Sequence, residues 1–113
     1  MKRGDVVLVA WPFTDLTTAK VRPAIVVSSD DFNRGDDRIL VAVSSNMSRW
    51  TSWDVPVRPS DAAFARTGLH VASSIQCGKL LTVSRSIIKR RLGAAAHYMT
   101  HIESGIKNAL DFP

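Results

Sequence analysis

Arg22 and the triplet Ser44-Ser45-Asn46 are the residues here whose types and placement suit the handling of a phosphate. Arg22 stands directly before Pro23 and the apolar run Ala24–Ser28, and the triplet closes the run Ile39–Val43. A guanidinium fixed at a strand start presents a planar fork to phosphate oxygens, and hydroxyl or amide groups opposite it can hold the remaining oxygens. A plainer reading stands beside this one: Arg22 paired with Asp5 or Asp15, and Ser44, Ser45 and Asn46 serving as turn residues. Other chemistry is thinly represented. No Gly-rich phosphate loop, nucleophile elbow, paired-glutamate site or dinucleotide fingerprint is present. His97 and His101 are spaced to share a helix face, but no third ligand accompanies them, so a surface pair is the better expectation than zinc. Cys77, the single cysteine, excludes an internal disulfide framework and reads as a small buried hydrophobe in a reducing, cytoplasmic protein.

Charge narrows the partner. The chain has 15 Lys plus Arg against 10 Asp plus Glu, a net charge of +5. The excess lies between Arg38 and Arg91, where nine basic side chains face only Asp54 and Asp61. Such clustering favours a polyanion, although solubility alone also accounts for a modest positive charge. No apolar run is long enough to cross a bilayer, and the opening Met-Lys-Arg-Gly-Asp leads straight into a strand-like segment without a cleavable apolar region.

The elements that must position these residues follow from periodicity. Val6–Val9, Ala24–Ser28 and Ile39–Val43 are short β-branched runs without polar alternation, which predicts strands covered on both faces. Trp53–Val57 predicts a short strand that Pro56 and Pro59 confine to an edge, and Ser60–Ala63 a single helical turn. Leu69–Ile75 and Lys79–Val83 predict one further strand region broken near Gly78. From Ala94 to Leu110, Ala95, Met99, Ile102, Ile106 and Leu110 recur at three- and four-residue steps, an amphipathic helix preceded by the basic run Lys89-Arg90-Arg91 and weakened in its middle by Gly105. The 113 residues therefore predict one α+β domain, a small SH3-like antiparallel barrel with a C-terminal helix.

With these segments in order, the sequence resembles the MazF/PemK family of toxin endoribonucleases. The resemblance rests on Arg3-Gly4-Asp5-Val6-Val7, Trp11-Pro12-Phe13-Thr14-Asp15 and Arg22-Pro23-Ala24-Ile25-Val26-Val27-Ser28. It continues through Asp31-Phe32-Asn33, Val41-Ala42-Val43 ending in Ser44-Ser45-Asn46, and Ser74-Ile75-Gln76-Cys77-Gly78-Lys79-Leu80-Leu81-Thr82-Val83. It implies a PemK-type barrel, a homodimer, a cognate antitoxin and no cofactor. The implied activity is metal-independent, sequence-selective cleavage of single-stranded mRNA by attack of the ribose 2′-hydroxyl. Arg22 matches the family's catalytic arginine and Ser44 its catalytic Thr or Ser. Gln76 and Gly78 stand where an Arg and an Asp flank the cysteine in other members, so an acid/base pair is replaced. Asp15, Ser45, Asn46, Gln76 and Lys79 are the candidate auxiliaries. Trp50, Trp53, Arg49 and Arg58, in the basic half, are the candidates for stacking on bases and holding backbone phosphates. A catalytically weakened RNA-binding or gyrase-inhibiting toxin on the same scaffold is the alternative.

Overall fold

The computed structural model describes residues 1–10, 21–48 and 50–113. Its first three strands are the β-branched runs: β1 (Asp5–Ala10), β2 (Val21–Val26) and β3 (Asp37–Ser44). Side chains stiff at χ1 suit a pleated surface, and alternation sends successive residues to opposite faces. Both faces are buried, as the unbroken apolar runs require. Val6, Ile25, Val41 and Val43 enter one cluster with Ile75, Cys77, Tyr98 and Ile102. Val7, Val9, Ala24, Val26, Leu40 and Ala42 enter a second with Val83 and Ile88.

Three more strands complete a curled antiparallel half-barrel. β4 (Val55–Val57) and β5 (Ser73–Ser84) lie to one side of β3, and β6 (Ile88–Ala94) lies beyond β1. The order is β4-β5-β3-β2-β1-β6, so the Pro-bearing segment is an edge strand, as its prolines dictate. β5 pairs with β3 in two registers: Val41 faces Leu80, and the next residue, Ala42, faces Gln76. Cys77, Gly78 and Lys79 are thereby looped out of the ladder, which is the break expected near Gly78. The bend turns Cys77 inward until it is fully buried.

β6 departs from expectation. The run Lys89-Arg90-Arg91 is not a linker before the helix but the exposed middle of an edge strand, pairing with β1 through two register irregularities. Charged residues blunt an edge against unwanted pairing. The helix accordingly starts later than its periodicity suggests. Ala94 pairs with Asp5, and Ala95 N donates to Gly4 O at 2.8 Å. A 3-10 turn over Ala96–Tyr98 then leads into α2 (Met99–Leu110). Ile102 is fully buried against the sheet, worth roughly 1.5–3 kcal/mol, whereas Leu110 is exposed.

Gly105 has a different role from a weak point. A Cβ there would lie 2.4 Å from Trp53 O and 2.7 Å from Cys77 Sγ. The missing side chain lets α2 press directly onto the bulge of β5.

Candidate anion-binding site

β2 and β3 part company at one end. Their ladder runs Val26↔Leu40, Ile25↔Val41, Ala24↔Ala42 and stops. β2 nevertheless continues beside β1 to Val21, and β3 continues beside β5 to Ser44. A fork opens between them, with Val21, Arg22 and Pro23 on one lip and Val43, Ser44 and Ser45 on the other. Pro23 has no amide hydrogen to extend the ladder. Continuing the register places Arg22 level with Ser44, whose partner on β5 is Ser74.

A polar group at this fork is under-satisfied. Three buried side-chain polar atoms lack a hydrogen-bond partner among the described residues: Arg22 Nε on the lip of the fork, Ser74 Oγ on β5 in the residue paired with Ser44, and Thr51 Oγ1. A buried donor without a partner costs about 1–3 kcal/mol, so Arg22 Nε marks a place that an outside group could complete. Ser44 Oγ accepts a bond from Asn46 N at 3.1 Å, and Asn46 Oδ1 accepts from Ser48 N at 3.0 Å and Ser48 Oγ at 2.6 Å. The triplet does the turn chemistry expected of it. The Ser44 hydroxyl hydrogen has no acceptor among those contacts and can be donated elsewhere.

A cavity of about 350 Å³ occupies the fork. Arg22, Ser45, His70 and Arg90 supply its charged and polar rim, with Leu8, Val43, Leu69 and Leu92 among its apolar walls. No described carboxylate lines it, and no described carboxylate pairs with Arg22 or Arg90. Two arginines with no anion among the described residues make the described part of the recess electropositive. Arg90 is positioned by its pairing with Leu8 across the β1–β6 ladder.

His70 is held over the same recess from the other side. The short helix α1 (Phe64–Thr67) ends at Gly68, at φ +73°. A Cβ on Gly68 would sit 2.2 Å from Leu92 O, so only glycine allows this turn to lie against β6. Thr67 Oγ1 donates to Phe64 O at 2.6 Å and accepts from Leu69 N at 3.1 Å. Beyond the histidine, Ser73 Oγ donates to Val71 O at 2.9 Å.

The other sequence candidates scatter. Ser45 lines the recess, whereas Ser44 is not among its lining residues. Gln76, Gly78 and Lys79 gather instead with Trp53 and Thr51 around a separate hollow of about 380 Å³. Arg58, His97 and His101 border a third, of about 430 Å³, beside Trp53, Asp61 and Tyr98. Trp50 and Trp53 are both exposed, as stacking platforms would have to be. Asp15 and Arg49 lie outside the described residues. His70 and Arg90 were missed by sequence reasoning: His70 stands in a loop without a motif, and Arg90 sits inside a charge run whose strand character was hidden.

Cys77 keeps its plainer reading as a buried small side chain. Burial, reinforced by the Asp54 carboxylate, pushes the Cys77 thiol up to about 12, so it carries no thiolate near neutrality. Among the described residues, no group of three or more His, Cys, Asp or Glu is arranged to hold a metal ion. No described helix is long and apolar enough to cross a membrane.

Comparison with known proteins adds to this geometry. A family model described as PemK-like, MazF-like toxin of type II toxin-antitoxin systems matches residues 2–110. No curated protein matches by sequence. Among solved structures, a mycobacterial endoribonuclease in complex with its cognate antitoxin superposes at TM-score 0.79 with 21% identity, covering 100% of this chain and 97% of that one. The Mycobacterium tuberculosis toxin MazF-mt6 superposes at 0.76 with 18% identity, over 96% and 98% of the two chains. MazF from Deinococcus radiodurans also superposes at 0.76, with 16% identity over 98% and 96%.

Proposed function

This chain belongs to the PemK-like, MazF-like toxins of type II toxin-antitoxin systems, and from that premise we propose that it is a sequence-selective, metal-independent endoribonuclease acting on single-stranded mRNA. The observation that carries the reading is the recess at the β2–β3 fork, which has Arg22 and Arg90 among its lining residues, no carboxylate from the described residues, and Arg22 Nε buried without a partner among them. A phosphodiester supplies an anion and a hydrogen-bond acceptor that none of the described residues provides there. The ribose 2′-oxygen attacks the adjacent phosphorus and the bond to the 5′-oxygen breaks, leaving a cyclic phosphate and a 5′-hydroxyl. Negative charge grows on the non-bridging oxygens in between. Arg22 is preorganised where that charge develops, and Ser44, at the end of β3 on the opposite lip of the fork, donates its hydroxyl hydrogen to a phosphate oxygen. Trp50, Trp53, Arg49 and Arg58 bind flanking nucleotides. The toxin works as a cytoplasmic homodimer restrained by a cognate antitoxin; the antitoxin part of this reading is supported by the antitoxin-bound mycobacterial neighbour.

Cleavage of a long RNA in the presence of EDTA is the test. Arg22→Ala should lower turnover by about 10²–10³-fold, the effect of removing one oxyanion donor. Cleavage that requires added metal, or that survives this substitution, overturns the proposal. The placement of Gln76 and Lys79 away from the Arg22 recess supports a second reading, an RNA-binding or gyrase-inhibiting toxin without turnover. That reading predicts salt-sensitive RNA binding or capture of gyrase, with no cleavage.

A further inference from the structure

We propose that His70 is the proton acceptor of this nuclease, taking over a function that Gln76 and Gly78 cannot perform. The inference rests on the endoribonuclease reading above and deepens it. Arg22 and Arg90 can stabilise charge on a phosphate, but an arginine does not give up its proton near neutrality. Serine hydroxyls are far too weakly basic to accept one. Among the described residues of the recess, His70 is the side chain whose type exchanges a proton between about pH 5 and 8. Gln76, Gly78 and Lys79 line a different hollow and are not among the lining residues of this recess.

The placement of His70 suits the task. It is exposed to an incoming substrate, yet the backbone around it is fixed by Gly68 against Leu92 and by the Thr67 and Ser73 side-chain bonds. The charged groups on elements packed against it are Arg22 from β2 and Arg90 from β6, and no described carboxylate lines the cavity. The recess therefore brings one proton acceptor and two phosphate-holding cations to a single strand fork. In the step, His70 takes the hydrogen of the ribose 2′-hydroxyl as the 2′-oxygen–phosphorus bond forms. The phosphorus–5′-oxygen bond breaks, the 5′-oxygen takes a proton from water, and the imidazolium returns its proton to solvent.

The experiment compares wild type, His70→Ala, His70→Gln and Arg22→Ala on one RNA between pH 5 and 9. Both His70 variants should lose about 10²–10⁴-fold in kcat/KM, the usual size of a general-base contribution. Wild-type kcat/KM should rise with pH through the imidazole range and level off, and the variants should lose that inflection. Added imidazole should restore part of the rate to His70→Ala, and Tm should stay at the wild-type value because the side chain is exposed. A loss within about threefold, or an inflection that survives in the variants, overturns the role of His70 while leaving the nuclease reading intact. An RNA with sulfur replacing the bridging 5′-oxygen needs no leaving-group protonation. If the His70→Ala defect vanishes on it, the histidine acts on the leaving group and the acceptor role is refuted. Wild type that fails to cleave RNA at all refutes both readings together.

Discussion

Replacing Gly105 by alanine gives two arguments opposite signs. Helix propensity alone says that glycine in the interior of α2 costs about 1 kcal/mol relative to alanine, so the substitution should stabilise the protein. Packing says the reverse. The new methyl would meet Trp53 O at 2.4 Å, Cys77 Sγ at 2.7 Å and Cys77 Cβ at 2.9 Å. The nearest of these is backbone, and the cysteine sits fully buried in the looped-out stretch of β5, so no flexible side-chain end can swing away. Overpacking of this kind costs about 1–3 kcal/mol, and the backbone contact places it near the top of that range. Subtracting the propensity gain leaves a net loss of about 2 kcal/mol. At about 2.1 cal/mol/K per residue over 113 residues, unfolding entropy near the midpoint is about 0.24 kcal/mol/K, so Tm should fall by about 8 °C. Calorimetry on wild type, Gly105→Ala and the neighbouring exposed control Ser104→Ala measures this. The control should hold or slightly raise Tm. A Gly105→Ala protein melting at or above wild type would show that α2 does not rest on the β5 bulge as described.

Three further outcomes follow from ionisation. The Cys77 thiol, held at about 12 by burial and by Asp54, should not react with a disulfide reagent at pH 8 in the folded protein and should react fully in denaturant; rapid native labelling would contradict its burial. The Tyr98 hydroxyl is pushed up to about 12 by burial and by its 2.8 Å hydrogen bond to Asp61. Because the neutral phenol is favoured in the fold, its stabilising contribution is complete below about pH 10 and is lost as pH rises toward 12. Tyr98 is the only tyrosine, so the ultraviolet absorbance of tyrosinate reads its titration directly. Tyr98→Phe should flatten the alkaline loss of stability in that window, and an ordinary tyrosine titration in the folded state would refute the assignment. Asp61, held below the usual carboxylate range by Arg58 N and then by Tyr98, should lose its contribution in the opposite direction, as pH falls.

What the sequence disclosed depended on whether the signal was local. Val6–Val9, Ala24–Ser28 and Ile39–Val43 specify their own strands, since an apolar β-branched run of that length needs cover on both faces. Gly78 announced the break in β5, and Pro56 put β4 at the edge. β6 was hidden because Lys89, Arg90 and Arg91 carry no inward alternation; the strand exists because β1 offers it an edge and Ile88, Leu92 and Gly93 anchor its ends. Gly105 misled for a related reason. Propensity is a property of the helix alone, whereas the contact that requires glycine comes from residues 77 and 53. The candidate site divides in the same way. Arg22 could be singled out from its position before Pro23, but its association with His70 and Arg90 is made only by the close passage of Gly68 over β6.

Charge shows the same gap between sequence and space, and it bears on how RNA would be held. The basic middle of the chain does not form one surface. Arg38 is buried and spends its guanidinium on the carbonyls of Met1, Gly35 and Asp37 at 2.8–3.0 Å. Arg85 pairs with Asp36 at 3.7 Å and Arg91 with Asp5 at 2.9 Å. Those three cations have local structural duties, and two of them neutralise acidic residues from the first third of the sequence. Arg90 differs from its neighbour Arg91 because strand alternation turns it toward the recess that contains Arg22. A net charge of +5 therefore overstates long-range attraction while understating its focus. Arg22 and Arg90, which have no carboxylate partner among the described residues, line one recess, and on the reading proposed above its apolar walls would strengthen their attraction to a phosphodiester beyond what the same charges would give in open water.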